Sequence, residues 1–255
     1  MTIETAVILA GGAGLRMRPL TEDKPKVLVE VGGRRLLDWI LTWLKQNQVR
    51  RAVIGVAYKS ESIIEYLNRH PPGLEIEFSQ HTIEGGTAQG FKLAIERHVN
   101  DSVFFGINGD ELTNIRLQEL GDFHKSSKKA AATIAVSPLP SPFAVVDLSG
   151  SDVVGFHEKP TLESVFVSVG VYVLQREITN YIPAVGDIER TTFPRLANEG
   201  KLRAYRHQGF WKTVNTIKDL GEVDKELQSN GSIFVPRKVN VEIHRGHENE
   251  VTRIE

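Results

Sequence analysis

Over the first 110 residues, short apolar runs alternate with amphipathic stretches. Ala6-Val7-Ile8-Leu9-Ala10 is continuous and stops at Gly11-Gly12, the pattern of a strand buried on both faces. Ala52–Ala57 (AVIGVA) and Val103–Ile107 (VFFGI) repeat that pattern, and Leu74–Phe78 alternates as a half-buried strand does. Between these runs the period changes. Leu36, Leu37, Ile40, Leu41 and Leu44 recur at helical spacing, with Trp39 and Trp43 widening the apolar face. Ser60 reads as the N-cap of a second helix with Ile63, Ile64 and Leu67 inside, and Thr87–Arg97 reads as a third.

Strands alternating with helices predict a parallel sheet wound by right-handed crossovers. The expected fold is α/β and Rossmann-like: a mixed, mainly parallel sheet flanked by helices in a single domain. After Ala130 the runs Ala131–Val136, Ala144–Leu148, Val153–Glu158 and Val165–Leu174 follow with few helices between them, which adds hairpins to the same sheet. Helices resume at Ile188–Glu199 and Ile217–Ser229, the last opened by Thr216 with Asp219 placed for a capping box. This assigns residues 1–229 to one domain and 230–255 to a polar tail. The alternating run Val239–Ile243 in that tail points to packing on the core or on a second subunit of a homodimer. No hexapeptide repeat is present, so a fused β-helix domain is not expected.

Composition narrows the function by exclusion. The net charge is −1 from 31 Lys+Arg and 32 Asp+Glu, so no global field attracts nucleic acid or an anionic membrane. Any bound anion must be held by a local cluster. The absence of cysteine removes disulfide frameworks, thiolate zinc sites and cysteine nucleophiles. The start lacks a basic n-region and no apolar run reaches membrane-spanning length, so a cytoplasmic protein is expected.

One such cluster lies directly after the first strand. Gly11 to Lys26 reads G-G-A-G-L-R-M-R-P-L-T-E-D-K-P-K, carrying Arg16, Arg18, Lys24 and Lys26 against Glu22 and Asp23. Glycines let the main chain approach a ligand, and successive free N–H groups make a nest for anions. A solvated turn would explain the glycines but not so long, basic and proline-stiffened a connection. The Walker A pattern is absent, and Met17 stands where the dinucleotide fingerprint needs its third glycine. Asn108-Gly109-Asp110 ends another central strand, so both segments fall at the sheet edge where ligands bind.

Leu9-Ala10-Gly11-Gly12-Ala13-Gly14-Leu15-Arg16 through Pro25-Lys26 resembles the activation loop of sugar-1-phosphate nucleotidyltransferases, L-A-G-G-x-G-T-R-L-x-P-L-T-x-x-x-P-K. Leu15 departs from the usual Thr or Ser. The resemblance implies that Leu9, Ala10, Gly11, Gly12 and Gly14 meet the nucleotide. It places Arg16 on the outgoing phosphates and Lys26 at the α-phosphate. Gln80 and Gly86, around the segment Glu84–Phe91, become the base readers; taken alone that segment reads rather as a glycine-rich turn capping a helix at Thr87. Asp110 becomes a ligand of Mg²⁺, and Glu111 would face away if its strand continued. Glu158-Lys159-Pro160 resembles the family's E-K-P, so Glu158, Lys159 and Gly170 become the sugar-phosphate contacts, although Ser168 and Ala144 replace the usual Asn and Gly.

Gly209-Phe210-Trp211, Thr216 and Asp219 follow the glucose-1-phosphate cytidylyltransferase branch, but Asn215 stands where that branch has its second metal-binding Asp. Asn215 could ligate the metal through its carbonyl oxygen without adding charge, or leave the ions to Asp110 and phosphate. The implied reaction is attack by a sugar 1-phosphate on a nucleoside triphosphate, with CTP favoured and GTP or UTP next. A phosphorylated non-sugar acceptor and a non-catalytic nucleotide-sugar-binding homologue remain as alternatives.

Overall fold

The computed structural model describes residues 2–229; the tail and its Val239–Ile243 run lie outside the described residues. In chain order the strands are β1 (Thr5–Leu9), β2 (Glu30–Val31), β3 (Arg34–Arg35), β4 (Arg51–Val56), β5 (Glu75–Gln80), β6 (Val103–Asn108) and β7 (Glu111–Thr113). They continue with β8 (Ala132–Pro140), β9 (Val145–Ser149), β10 (Asp152–His157), β11 (Thr161–Gln175), β12 (Leu202–Arg206) and β13 (Trp211–Thr213). The helices are α1 (Leu36–Gln46), α2 (Ser60–Arg69), α3 (Gly86–His98), α4 (Leu117–Lys125), α5 (Thr192–Asn198) and α6 (Ile217–Ser229).

Seven strands form the central sheet in the order β12-β8-β11-β6-β1-β4-β5. β6, β1, β4 and β5 run parallel, β12 runs parallel to β8, and β11 is antiparallel to both its neighbours. This is the mixed, mainly parallel α/β sheet expected. Alternate side chains of β1 enter two cores: Ala6 and Ile8 pack with α1, α2, α4 and α6, while Val7 packs with α3 and α5. The chain leaves β1 towards β4 and β5, then returns to its other side with β6. That reversal is a topological switch point, where the loops diverge and open a crevice beyond the carboxyl ends of the strands.

Several expectations shift. Ser60 is the first residue of α2 rather than its cap; Lys59 precedes it in a left-handed turn (φ 49°) with no side-chain cap. The helix expected over Ile188–Glu199 starts only at Thr192, because the backbone N–H of Ile188 and the carbonyl of Asp187 are engaged in a turn. The strands β12 and β13, of mixed polarity, and the helix α4 were not anticipated. The hairpin β9–β10 forms its own two-stranded sheet instead of extending the central one.

His124 of α4 is fully buried, with Nδ1 2.8 Å from Thr133 Oγ1 and Nε2 3.0 Å from the Gln175 amide nitrogen. Burial, with Arg203 and Lys125 nearby, pushes its pKa down from 6.5 to about 4. The unfolded chain therefore binds a proton that the folded protein refuses. The stability from keeping this ring neutral is present above pH 6.5 and is lost as the pH falls towards 4. Urea unfolding should accordingly show a lower midpoint at pH 5 than at pH 7. In His124→Gln that dependence should be shallower; an unchanged slope would mean other groups control it.

Candidate active site

The crevice at the switch point is a cavity of about 540 Å³. Its wall includes Leu9, Ala10, Gly11, Gly12, Gly14, Arg16, Lys26, Gly86, Asp110 and Asn215, ten of the residues singled out in the sequence. Leu15, His81, Asn108 and Asp187 complete it together with Val27, Ile83, Thr87 and Gly109.

Local structure explains the convergence. Thr21 Oγ1 donates to the Gly14 carbonyl at 2.8 Å, folding the basic loop back on itself. Pro25 then enters a 3-10 turn at Lys26–Leu28, closed by the Leu28 N–H on the Pro25 carbonyl. The Gly109 N–H donates to the Leu9 carbonyl at 2.9 Å, joining the ends of β6 and β1. A β-carbon on Gly109 would fall 2.4 Å from that carbonyl oxygen, so glycine is required there. The chain turns at Gly109-Asp110 and starts β7, which pairs with β13; the Val214 N–H bonds to the Asp110 carbonyl. A reciprocal cap starts α6: Asp219 accepts the backbone N–H groups of Asn215 and Thr216, and Thr216 Oγ1 accepts that of Asp219.

Lys26 is the centre of the cleft. Its ammonium lies 2.7 Å from Asp110 Oδ2 and 2.6 Å from Asn215 Oδ1, and the residue is 8% exposed. The Asn215 amide is oriented by its own donation to Thr213 Oγ1 at 2.5 Å, which leaves the carbonyl oxygen facing the lysine. Two hard oxygens from segments 105 residues apart thus converge on one cation. That donor set fits magnesium, which takes one or two protein oxygens and completes its shell with phosphate and water. Among the described residues no group of three His, Asp or Glu could hold a metal by itself, so phosphate would have to complete the site.

Glu111, next to Asp110, does not line the cavity. The turn at Gly109-Asp110 directs it inward, where it is buried against Gly170 and accepts from Trp211 Nε1 at 2.7 Å. Burial, then the charge of Asp110, raises its pKa well above the usual carboxylate range. Asn108 Oδ1 and His81 Nδ1 are buried without a hydrogen-bond partner, and both side chains line the cavity.

Other candidates lie elsewhere. Gln80 is exposed at the end of β5 and does not line the cavity; the next residue, His81, does. Glu158 and Lys159 are exposed in the turn after β10, their charged atoms 3.7 Å apart, and they too stand outside the wall. Gly170 backs Asn108 and Glu111 from a bulge in β11 rather than touching the cavity. His81 and Asp187 were missed. A single polar residue beside a glycine-rich segment was the signal available for His81; Asp187 is brought in only by tertiary folding.

A glycine-lined cleft at a switch point, with Arg16 and Lys26 in its wall and an acid at the end of a central strand, has the parts that holding a nucleoside polyphosphate requires. The sequence pattern of the nucleotidyl transferase family matches residues 5–230. A probable glucose-1-phosphate cytidylyltransferase of Bacillus subtilis is 31% identical over 243 residues, covering 86% of this chain and 94% of that protein. The mannose-1-phosphate guanyltransferase of Saccharomyces cerevisiae is 34% identical over 84% of this chain, which spans 62% of the yeast protein. Among solved structures, HddC from Yersinia pseudotuberculosis superposes with a TM-score of 0.70 at 23% identity, covering 88% of this chain and all of that one. That last likeness is one of fold. The chain belongs to the sugar-1-phosphate nucleotidyltransferase family. No helix among the described residues is long and apolar enough to cross a membrane.

Proposed function

We propose that the protein transfers a nucleoside monophosphate from a nucleoside triphosphate to a sugar 1-phosphate, releasing pyrophosphate, with magnesium as cofactor. The observation that carries this reading is the Lys26 ammonium held between Asp110 and Asn215 in a cleft that also takes Arg16 and the glycine loop. The acceptor's phosphate oxygen attacks the α-phosphorus, a new P–O bond forms, and the α–β bridging bond breaks with its electrons leaving on pyrophosphate. The acceptor phosphate is already ionised at neutral pH, so no side chain must take a proton. Lys26 neutralises charge at the α-phosphate and Arg16 meets the departing phosphates; in such transfers, position and charge neutralisation supply most of the rate. Asp110 and the Asn215 carbonyl would hold magnesium, which supplies further charge neutralisation at the same phosphate.

Pyrophosphate release with a panel of triphosphates and sugar phosphates tests the reading, and silence across the panel would leave only nucleotide binding. The exposed positions of Glu158 and Lys159 favour keeping a phosphorylated polyol or amide in that panel as a second class of acceptor. Asn215→Asp is isosteric, keeps an oxygen towards Lys26 and adds a charge beside the metal position. Activity should stay level or rise, with half-maximal activity at lower magnesium; complete loss would show that Asn215 has another role.

A further inference from the structure

Asp187 and His81 line the cleft but take no part in the lysine clamp. Asp187 sits on a turn pinned to the start of α3. Gly186 donates to the Gly85 carbonyl at 3.0 Å and accepts from the Ala88 N–H at 2.8 Å. Thr87 Oγ1 accepts from the Ile188 N–H and donates to Glu189. Gly86 adopts a positive φ of 64°, and a β-carbon there would fall 2.9 Å from Asp187 Oδ1. The carboxylate therefore stands beside Gly86 on a well-braced turn. His81 lies against the main chain of Gly11, and Leu15 and Ile83, 63% and 52% exposed, add apolar surface to the same cleft.

Apolar surface with a few fixed polar groups is what recognition of a planar base requires. The sign of the polar groups selects which base. A carboxylate only accepts hydrogen bonds, so it is satisfied best by two adjacent N–H donors. Guanine offers that pair at N1 and N2. Cytosine and adenine set one amino group beside a bare ring nitrogen, and uracil sets one N–H between two carbonyls. Burial lowers the His81 pKa, so its ring is neutral and keeps one N–H, the donor that guanine O6 or N7 lacks.

We propose that Asp187 reads the N1–H and N2–H edge of guanine, making GTP the nucleotide donor. This rests on the function proposed above and departs from the CTP preference drawn from the sequence. That preference came from residues 209–219 together with Lys24-Pro25-Lys26 and Val29–Gly33, which reach the cleft through Lys26 and Asn215 and do not carry either of these polar groups.

Calorimetry of the full chain with magnesium and GTP, CTP, UTP or ATP, without acceptor, tests the proposal. GTP should bind at least ~10-fold more tightly than the others, the scale of a bidentate base contact. Asp187→Asn should weaken GTP about 10- to 100-fold and bind xanthosine triphosphate more tightly than GTP, because the amide can donate to the C2 oxygen while accepting from N1–H. A carboxylate that merely stabilises the α3 terminus would give no xanthosine gain. The proposal is overturned if another triphosphate binds more tightly than GTP, or if Asp187→Asn leaves GTP binding unchanged. It is also overturned if that variant weakens all four triphosphates alike, which would put the carboxylate on ribose. Binding of GTP without pyrophosphate release on any acceptor would sink the catalytic reading and spare this one; no binding of any triphosphate would sink both.

Discussion

Lys26→Ala is expected to lower kcat by roughly 10²–10³-fold, the cost of removing one fixed cation from a developing charge. The residue is nearly buried, yet its ammonium faces an open cleft, and water can reach Asp110, whose side chain is 29% exposed. The stability cost should therefore stay near ~1–2 kcal/mol, well below that of stripping a partner from a dry ion pair. Turnover and thermal unfolding measured on one preparation separate the two effects. Lys26→Arg should recover little, because a planar guanidinium cannot fill the point where two oxygens converge 2.6 and 2.7 Å from a compact ammonium. Near wild-type turnover in the alanine variant would remove Lys26 from the mechanism.

Asp110→Asn should cost about as much, on the order of 10²–10³-fold in kcat, and should shift the magnesium dependence as well. Glu111 cannot substitute, since it is buried behind the cleft against Trp211 and does not line the cavity. The Lys26 and Asp110 variants share one contact, so their effects should be far from additive in the double variant. Additive losses would mean that the 2.7 Å pair is incidental to the chemistry. An unaltered magnesium titration in Asp110→Asn would move the metal elsewhere.

Much of this fold was legible because local signals agreed with global ones. Continuous apolar runs marked β1, β4 and β6, and each is buried on both faces as such runs imply. The Thr216–Asp219 cap was readable because it is a reciprocal bond between residues three apart. β12 and β13 were missed since Leu202–Arg206 and Trp211–Thr213 have mixed polarity and gain their structure from neighbours far along the chain. The Lys26 end of the cleft was visible in one contiguous segment plus Asp110. The remainder depends on pairings no local window contains, as when the turn carrying Asp187 docks on Gly85–Ala88. A one-residue difference at a strand end was enough to exchange Gln80 for His81.

The lysine clamp has a consequence for how the protein matures. Its three members sit at positions 26, 110 and 215, so the last is made after every strand of the central sheet. Synthesis proceeds from the amino terminus, and a nascent chain can pair β1 with β4 and β6 long before β13 and α6 emerge from the ribosome. Until then the lysine would have only one of its two oxygen partners. Competence for turnover would thus appear late and all at once, making catalysis a gauge of finished folding rather than of the early sheet.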